Sequence, residues 1–174
     1  MPYLDALTVF HTALSLIALL LGFTILYALS KARAMPTAES VFIVLAVLTS
    51  ATGYLFPFEK ILPSHIVGAV ALLVLALTIV ARYARHLAGR WRAVYGIGLT
   101  VSVWLDAFVA VAQAFAKIPP LTALAPTPNA PAFGIAQLGL LLIFVAIGYT
   151  TVRGLRRIAG LDGTLASRVA PRPV

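Results

Sequence analysis

The chain has no cysteine and only two methionines in 174 residues. The missing thiols exclude disulfides, thiolate metal sites, iron–sulfur clusters and covalent haem attachment, and they leave the redox compartment unreadable. Charge is also scarce: 10% of residues are charged, against roughly 25% in a soluble domain. Acids are the rarer sign, five Asp and Glu against thirteen Lys and Arg. No Gly-rich phosphate loop, His-Glu-x-x-His metal helix or Gly-x-Ser-x-Gly nucleophile elbow occurs, so no motif supports an enzyme acting alone.

Apolar residues are what the chain has in quantity. They make up 61% of it, with a mean hydropathy of +1.02, which excludes a water-soluble globule. They gather into five uncharged or nearly uncharged runs, at 6–30, 40–58, 61–81, 93–116 and 132–152. Each is close to the roughly 20 residues a helix needs to cross about 30 Å of hydrocarbon. Backbone N–H and C=O groups find no water there, and no run alternates with a period of two, so helix is expected throughout. The first run follows no basic n-region and is long for a signal peptide, so it reads as a retained span. The expected fold is all-α: an integral membrane protein with four helices in an up-down bundle and a fifth beside them. One transmembrane domain would occupy 1–160, with a basic, disordered cytoplasmic tail at 161–174.

The net charge of +8 would point to nucleic acid in a soluble protein, but the basic residues lie between the runs and no nucleic-acid motif accompanies them. Lys31 and Arg33 follow the first run. Arg82, Arg85, Arg90 and Arg92 separate the third and fourth, and Arg153, Arg156, Arg157, Arg168 and Arg172 follow the fifth. The other side has only Lys60 and Lys117. This asymmetry predicts an N-terminus outside and a C-terminus in the cytoplasm of a bacterial inner membrane. The charge is then a topology signal, with contact between the tail and anionic lipid heads as a further role.

The connections constrain packing. Residues 53–63, with Pro57, Glu59, Lys60 and Pro63, predict a tight outer turn that makes the second and third helices antiparallel neighbours. The loop 118–131 contains Pro119, Pro120, Pro126, Pro128 and Pro131; it is expected to be non-helical, either a plain connector or a semi-rigid lid over the outer face. An internal repeat is suggested by laying His11–Ile25 on His65–Ile79, which matches the two histidines, Leu19 with Leu73, Leu21 with Leu75, Thr24 with Thr78 and Ile25 with Ile79. The second helix laid on the fourth agrees poorly.

His11 and His65 are the sharpest chemical feature. Each lies about one to one and a half turns inside its helix from the outer end, at the same expected depth. Helices 1 and 3 of an up-down bundle run in the same direction, so the two imidazoles could ligate one haem iron, with Ala13, Ser15, Gly68 and Ala69 admitting the macrocycle. The propionates would lie near Lys60 and Lys117. The alternative is that both histidines reach water or a carbonyl near the interface. His86, among Arg82, Arg85 and Arg90, reads as a solvated residue.

Asp106 is the one carboxylate deep in a span. It is expected to be protonated, or bonded to Thr49, Ser50, Thr52 or Tyr54 of the second helix. Gln113, seven residues on, should share its face, with Ser102 and Trp104 nearby. The stripe reads either as a proton path or quinone-head site, or as interhelical hydrogen bonding.

The words Gly-Tyr-Leu-Phe-Pro-Phe at 53–58 and Leu-Pro-Ser-His-Ile-Val-Gly at 62–68 are similar to those of small bacterial multi-pass membrane proteins, a likeness that covers most of the chain. The layout resembles small bis-histidine membrane cytochromes of the b561 kind. That resemblance implies b-type haem held by His11 and His65, and electron exchange with quinone. Gly68 is third after His65, so a His-x-x-x-Gly spacing is not present. A second histidine pair toward the other face is also lacking, so the resemblance implies one haem near the outer face. Two function classes follow. One is a haem-bearing redox protein with Asp106 and Gln113 near a quinone or proton path. The other is a non-redox protein, an accessory subunit of a larger complex or a small carrier or channel, whose polar residues pack helices. The partners of either are the bilayer and, in addition, other membrane subunits or a homo-oligomer.

Overall fold

A computed structural model describes the backbone of residues 2–57, 63–127 and 129–169, and the side chains of 3–57, 64–127 and 129–161. Among these residues every regular element is helical, with no strand, and five helices are long and apolar enough to cross a membrane. They are α1 (Pro2–Ser30), α2 (Pro36–Thr52), α3 (Pro63–Ile79), α4 (Trp91–Lys117) and α6 (Pro131–Val169). A single 3₁₀ turn, Gly53–Leu55, extends α2, and a π-turn, Val80–Ala84, extends α3.

Three helices, α1, α4 and α6, are longer than the apolar runs that predict them, and α2 starts earlier than its run. α2 begins at Pro36, not at residue 40, because proline at the first helical position loses no needed N–H and the Glu39 carboxylate reaches back to the Met35 N–H at 2.9 Å. Glu39 is thereby drawn inside the helix. α6 continues to Val169, well past the apolar run that ends at 152; residues 170–174 of the expected tail lie outside the described residues. The turn between α2 and α3, expected to be tight, is described only up to Pro57.

The proline-rich connector departs from expectation. Pro119–Leu124 forms a short helix, α5, with its two prolines in the first turn. That is the one helical position where a missing N–H breaks no hydrogen bond, and the Thr122 hydroxyl ties the turn back to the Phe115 carbonyl at 2.7 Å.

α4 is the central helix: half of its span is buried inside the molecule, against 6% for α6. It packs on α1, α3 and α6, while α1 also touches α2 and α6, and α2 touches α3. The core joins Ile25, Leu26 and Leu29 of α1, Phe42 and Ala46 of α2, Leu75 of α3, and Tyr95, Leu99 and Val103 of α4. Large side chains such as Leu20, Leu73, Ile135, Leu142 and Val145 remain exposed, the surface that hydrocarbon would cover. Association in lipid relies on close packing more than on apolar burial, so small residues matter at crossings. At Gly154 of α6 a Cβ would run into the Leu29 carbonyl oxygen of α1, and at Gly98 of α4 into the Thr78 hydroxyl of α3.

The paired words of the apparent repeat occupy different environments. Thr78 is fully buried, whereas Thr24 is exposed and bonds the Leu20 carbonyl of its own helix.

Candidate functional site

The two imidazoles are both found at the α2 end that carries the 3₁₀ turn. His11 of α1 is half-buried; its Nδ1 lies 2.9 Å from the Thr52 hydroxyl, and its ring meets Phe56 edge-on at 5.5 Å between centroids. His65 of α3 has its ring 5.6 Å from that of Tyr54, and its backbone carbonyl accepts the Tyr54 hydroxyl at 2.7 Å. The Tyr54 ring also lies 3.3 Å from where a Cβ on Gly68 would stand. Tyr54 and Phe56 therefore fill space beside both histidines, and the small residue at Gly68 admits a tyrosine ring.

Asp106 is partly buried on α4, and its Oδ2 is enclosed without a hydrogen-bond partner. The expected bond to the second helix is not formed: the Thr49 hydroxyl is also buried and unpartnered, and Thr52 bonds its own helix and His11. Ser102 bonds the Gly98 carbonyl one turn back, which removes it as a partner. Gln113 is exposed near the end of α4, so the shared face expected of it with Asp106 does not become a shared buried stripe. The glutamine that enters the bundle is Gln137 of α6, which donates to the Phe108 carbonyl at 3.1 Å while its own Oε1 stays unpartnered, as does the Trp104 indole N–H.

The best-formed polar centre is one that hydropathy conceals. Glu39 is 2% exposed. Its Oε2 accepts hydrogen bonds from the Arg82 guanidinium and from the Tyr95 hydroxyl, the latter at 2.6 Å. Arg82 also donates to the Tyr95 oxygen at 2.7 Å and to the Pro36 carbonyl at 3.0 Å. Acid, base and phenol thus close a ring joining α2, the π-turn and α4. Bonds of this charge-assisted kind are about twice as strong as neutral ones, and they offset the desolvation of a buried pair when geometry is good. Tyr83 adds a bond to Ser40 at 2.9 Å.

The π-turn makes this possible. Its extra residue, recorded in the Arg85 N–H bond to the Val80 carbonyl at 2.9 Å, shifts the register of the last turn of α3, the turn that carries Arg82. The chain then passes through left-handed conformations at His86 (φ 48), Leu87 (φ 56) and Gly89 (φ 51). For the two non-glycine residues this costs roughly 1–2 kcal/mol each. The signal in the sequence was Glu39 itself, an acid between the first two runs in the segment that also carries Lys31 and Arg33. Among the described residues, no three His, Asp or Glu side chains converge as metal ligands. Compared with protein-family models, curated proteins and solved structures, the chain gives no match.

Proposed function

We propose that this protein is a non-redox, multi-pass component of the bacterial inner membrane, an accessory subunit whose polar side chains join its own helices while its apolar faces meet lipid and a membrane partner. The observation that carries this reading is the engagement of both imidazoles by one turn: His11 by Thr52 and Phe56, His65 by Tyr54. The other polar side chains that cross between helices, in the Glu39 ring and at Gln137, also join neighbouring elements. The distribution of Lys and Arg supports an N-terminus outside, a cytoplasmic C-terminus and up-down order for the first four spans.

A second, redox reading has one observation in its favour, that His11 and His65 both lie against the same end of α2. Haem b would bind there only with Tyr54 and Phe56 displaced, and its quinone partner would meet the exposed Gln113 more readily than Asp106. The visible spectrum of protein expressed with haem supply separates the readings. The non-redox reading predicts no Soret band and co-purification of a stoichiometric membrane partner; a Soret band lost in His11→Ala and His65→Ala overturns it. A C-terminal reporter active only in the cytoplasm checks the orientation.

A further inference from the structure

Beside the Glu39 ring lies a cavity of about 450 Å³, within the ~300–1,000 Å³ range of small-molecule sites. It opens between the α1–α2 connection, the π-turn, the start of α4 and the far part of α6. Arg82 and Arg92 bring guanidinium groups to its lining and His86 an imidazole, beside the apolar side chains of Leu87, Leu155 and Ile158. Glu39 also borders it, but that carboxylate is engaged by Arg82 and Tyr95. The charges at its edge are therefore unequal. Arg82 has its counter-ion in Glu39, while Arg92 makes no ion pair among the described residues. A partly buried guanidinium without a counter-ion, over an apolar floor, is matched by an anion attached to hydrocarbon.

The position of the cavity agrees with that chemistry. It lies where the α3 span ends at Ala84 and the α4 span begins at Trp91, the level at which a bilayer presents its headgroups. Aromatic rings with cations over them mark the same level: Arg85 stands 5.1 Å from the Trp91 ring and Arg82 5.6 Å from the Tyr83 ring, as expected of an interfacial belt. The left-handed residues His86 and Leu87, both of which line the cavity, hold the loop in a shape that neither residue favours by itself; strain of this kind clusters at ligand sites.

We propose that this cavity binds the phosphodiester headgroup of an anionic phospholipid, with Arg92 as the principal phosphate contact, His86 beside it, and Leu155 and Ile158 against the start of an acyl chain. The site does not depend on the non-redox reading and survives its failure.

The test uses the full chain purified in a mild maltoside detergent, titrated separately with phosphatidylglycerol, phosphatidylcholine and inorganic phosphate. Melting temperature and lipid adducts retained in native mass spectrometry are followed. Phosphatidylglycerol is expected to raise the melting temperature and remain bound, phosphatidylcholine to do neither. Arg92→Gln should weaken phosphatidylglycerol binding about tenfold, the scale of one lost charge-assisted contact, whereas Arg33→Gln, an exposed arginine outside the cavity, should leave it unchanged. If Arg92→Gln does not fold, Ala159→Trp, which fills the cavity and keeps both arginines, should abolish adduct retention. Equal shifts from the two lipids, or unchanged binding in Arg92→Gln or Ala159→Trp, overturn the proposal. A shift produced as well by inorganic phosphate overturns the lipid assignment in favour of a free-anion site.

Discussion

The Glu39 ring at the basic end and the polar groups further along the bundle are managed in opposite ways. At the basic end, both Glu39 oxygens are engaged: Oε1 accepts the Met35 N–H, and Oε2 accepts Arg82 and Tyr95. Further along α4, the Asp106 Oδ2 and the Trp104 N–H, with the Gln137 Oε1 on α6 and the Thr49 hydroxyl on α2, are each enclosed without a partner. A buried charge is tolerable when a partner and hydrogen bonds accompany it, and a half-satisfied polar set is not a stabilising one. The difference teaches that stability is concentrated at the basic end, whereas the middle of α4 holds unused hydrogen-bonding capacity. Unmet capacity in a native structure is where function is to be sought.

The comparison breaks hardest at Glu39. Glu39→Ala leaves Arg82 charged and unpaired beside Tyr95, and removing one member of a buried pair costs about 3–5 kcal/mol. The expected outcome is a large fall in melting temperature in detergent. A near-neutral Glu39→Ala would mean that the ring does not hold α2, the π-turn and α4 together.

Next in size is the helix crossing at the same end. A Cβ on Gly154 meets the Leu29 backbone carbonyl, which cannot rotate aside, while nothing lies within 4 Å of a Cβ on Gly134 at the opposite end of α6. Gly154→Ala should therefore destabilise by about 1–3 kcal/mol, as overpacking does, and Gly134→Ala should stay within about 1 kcal/mol of the parent. Equal effects, read from thermal unfolding, would erase the contrast between a tight basic end and an open opposite end. Smaller again is Tyr95→Phe. It removes one hydroxyl that donates to Glu39 and accepts from Arg82, but leaves the ion pair, so about 1–2 kcal/mol is expected.

The ion pair at the basic end was the hardest part to read from the sequence, and the reason is physical. Long uncharged runs announce five helices because hydrocarbon tolerates nothing else of that length. The same rule sets each helix boundary at the nearest charge, so it stopped the second helix at residue 40 and left Glu39 outside. It also read Arg82 as a topology marker, when the residue turns into the molecule. Hydropathy treats charges one by one; a pair that neutralises itself inside the bundle is invisible to it, and the π-turn that brings Arg82 to Glu39 has no composition signal. That His11 and His65 lie toward one end of the bundle was legible, although counting turns missed their helix starts: α1 begins at Pro2 and α3 at Pro63, nine and two residues before them. Their partners Thr52, Tyr54 and Phe56 were not legible, since these lie where α2 tightens into a 3₁₀ turn. Asp106 was legible as the lone acid of its span, but its lack of a partner follows from Thr52 and Ser102 bonding backbone carbonyls of their own helices instead.

The smallest effect is the most informative about Asp106. Because its enclosed oxygen has no hydrogen bond to lose, Asp106→Asn removes an acid at nearly constant shape and should change stability by less than about 1 kcal/mol. Asp106→Leu, which replaces an unpartnered polar group with an apolar one of similar size, should hold or raise the melting temperature. That sign is opposite to the loss expected at Glu39. A carboxylate whose removal stabilises the fold is retained for something other than folding. If both variants complement a deletion strain as well as the parent does, the middle of α4 is packing alone; if they fold but fail to complement, Asp106 belongs to the activity. A clear destabilisation in Asp106→Asn would instead reveal a partner for the carboxylate and would bring the two sets of polar groups under one rule.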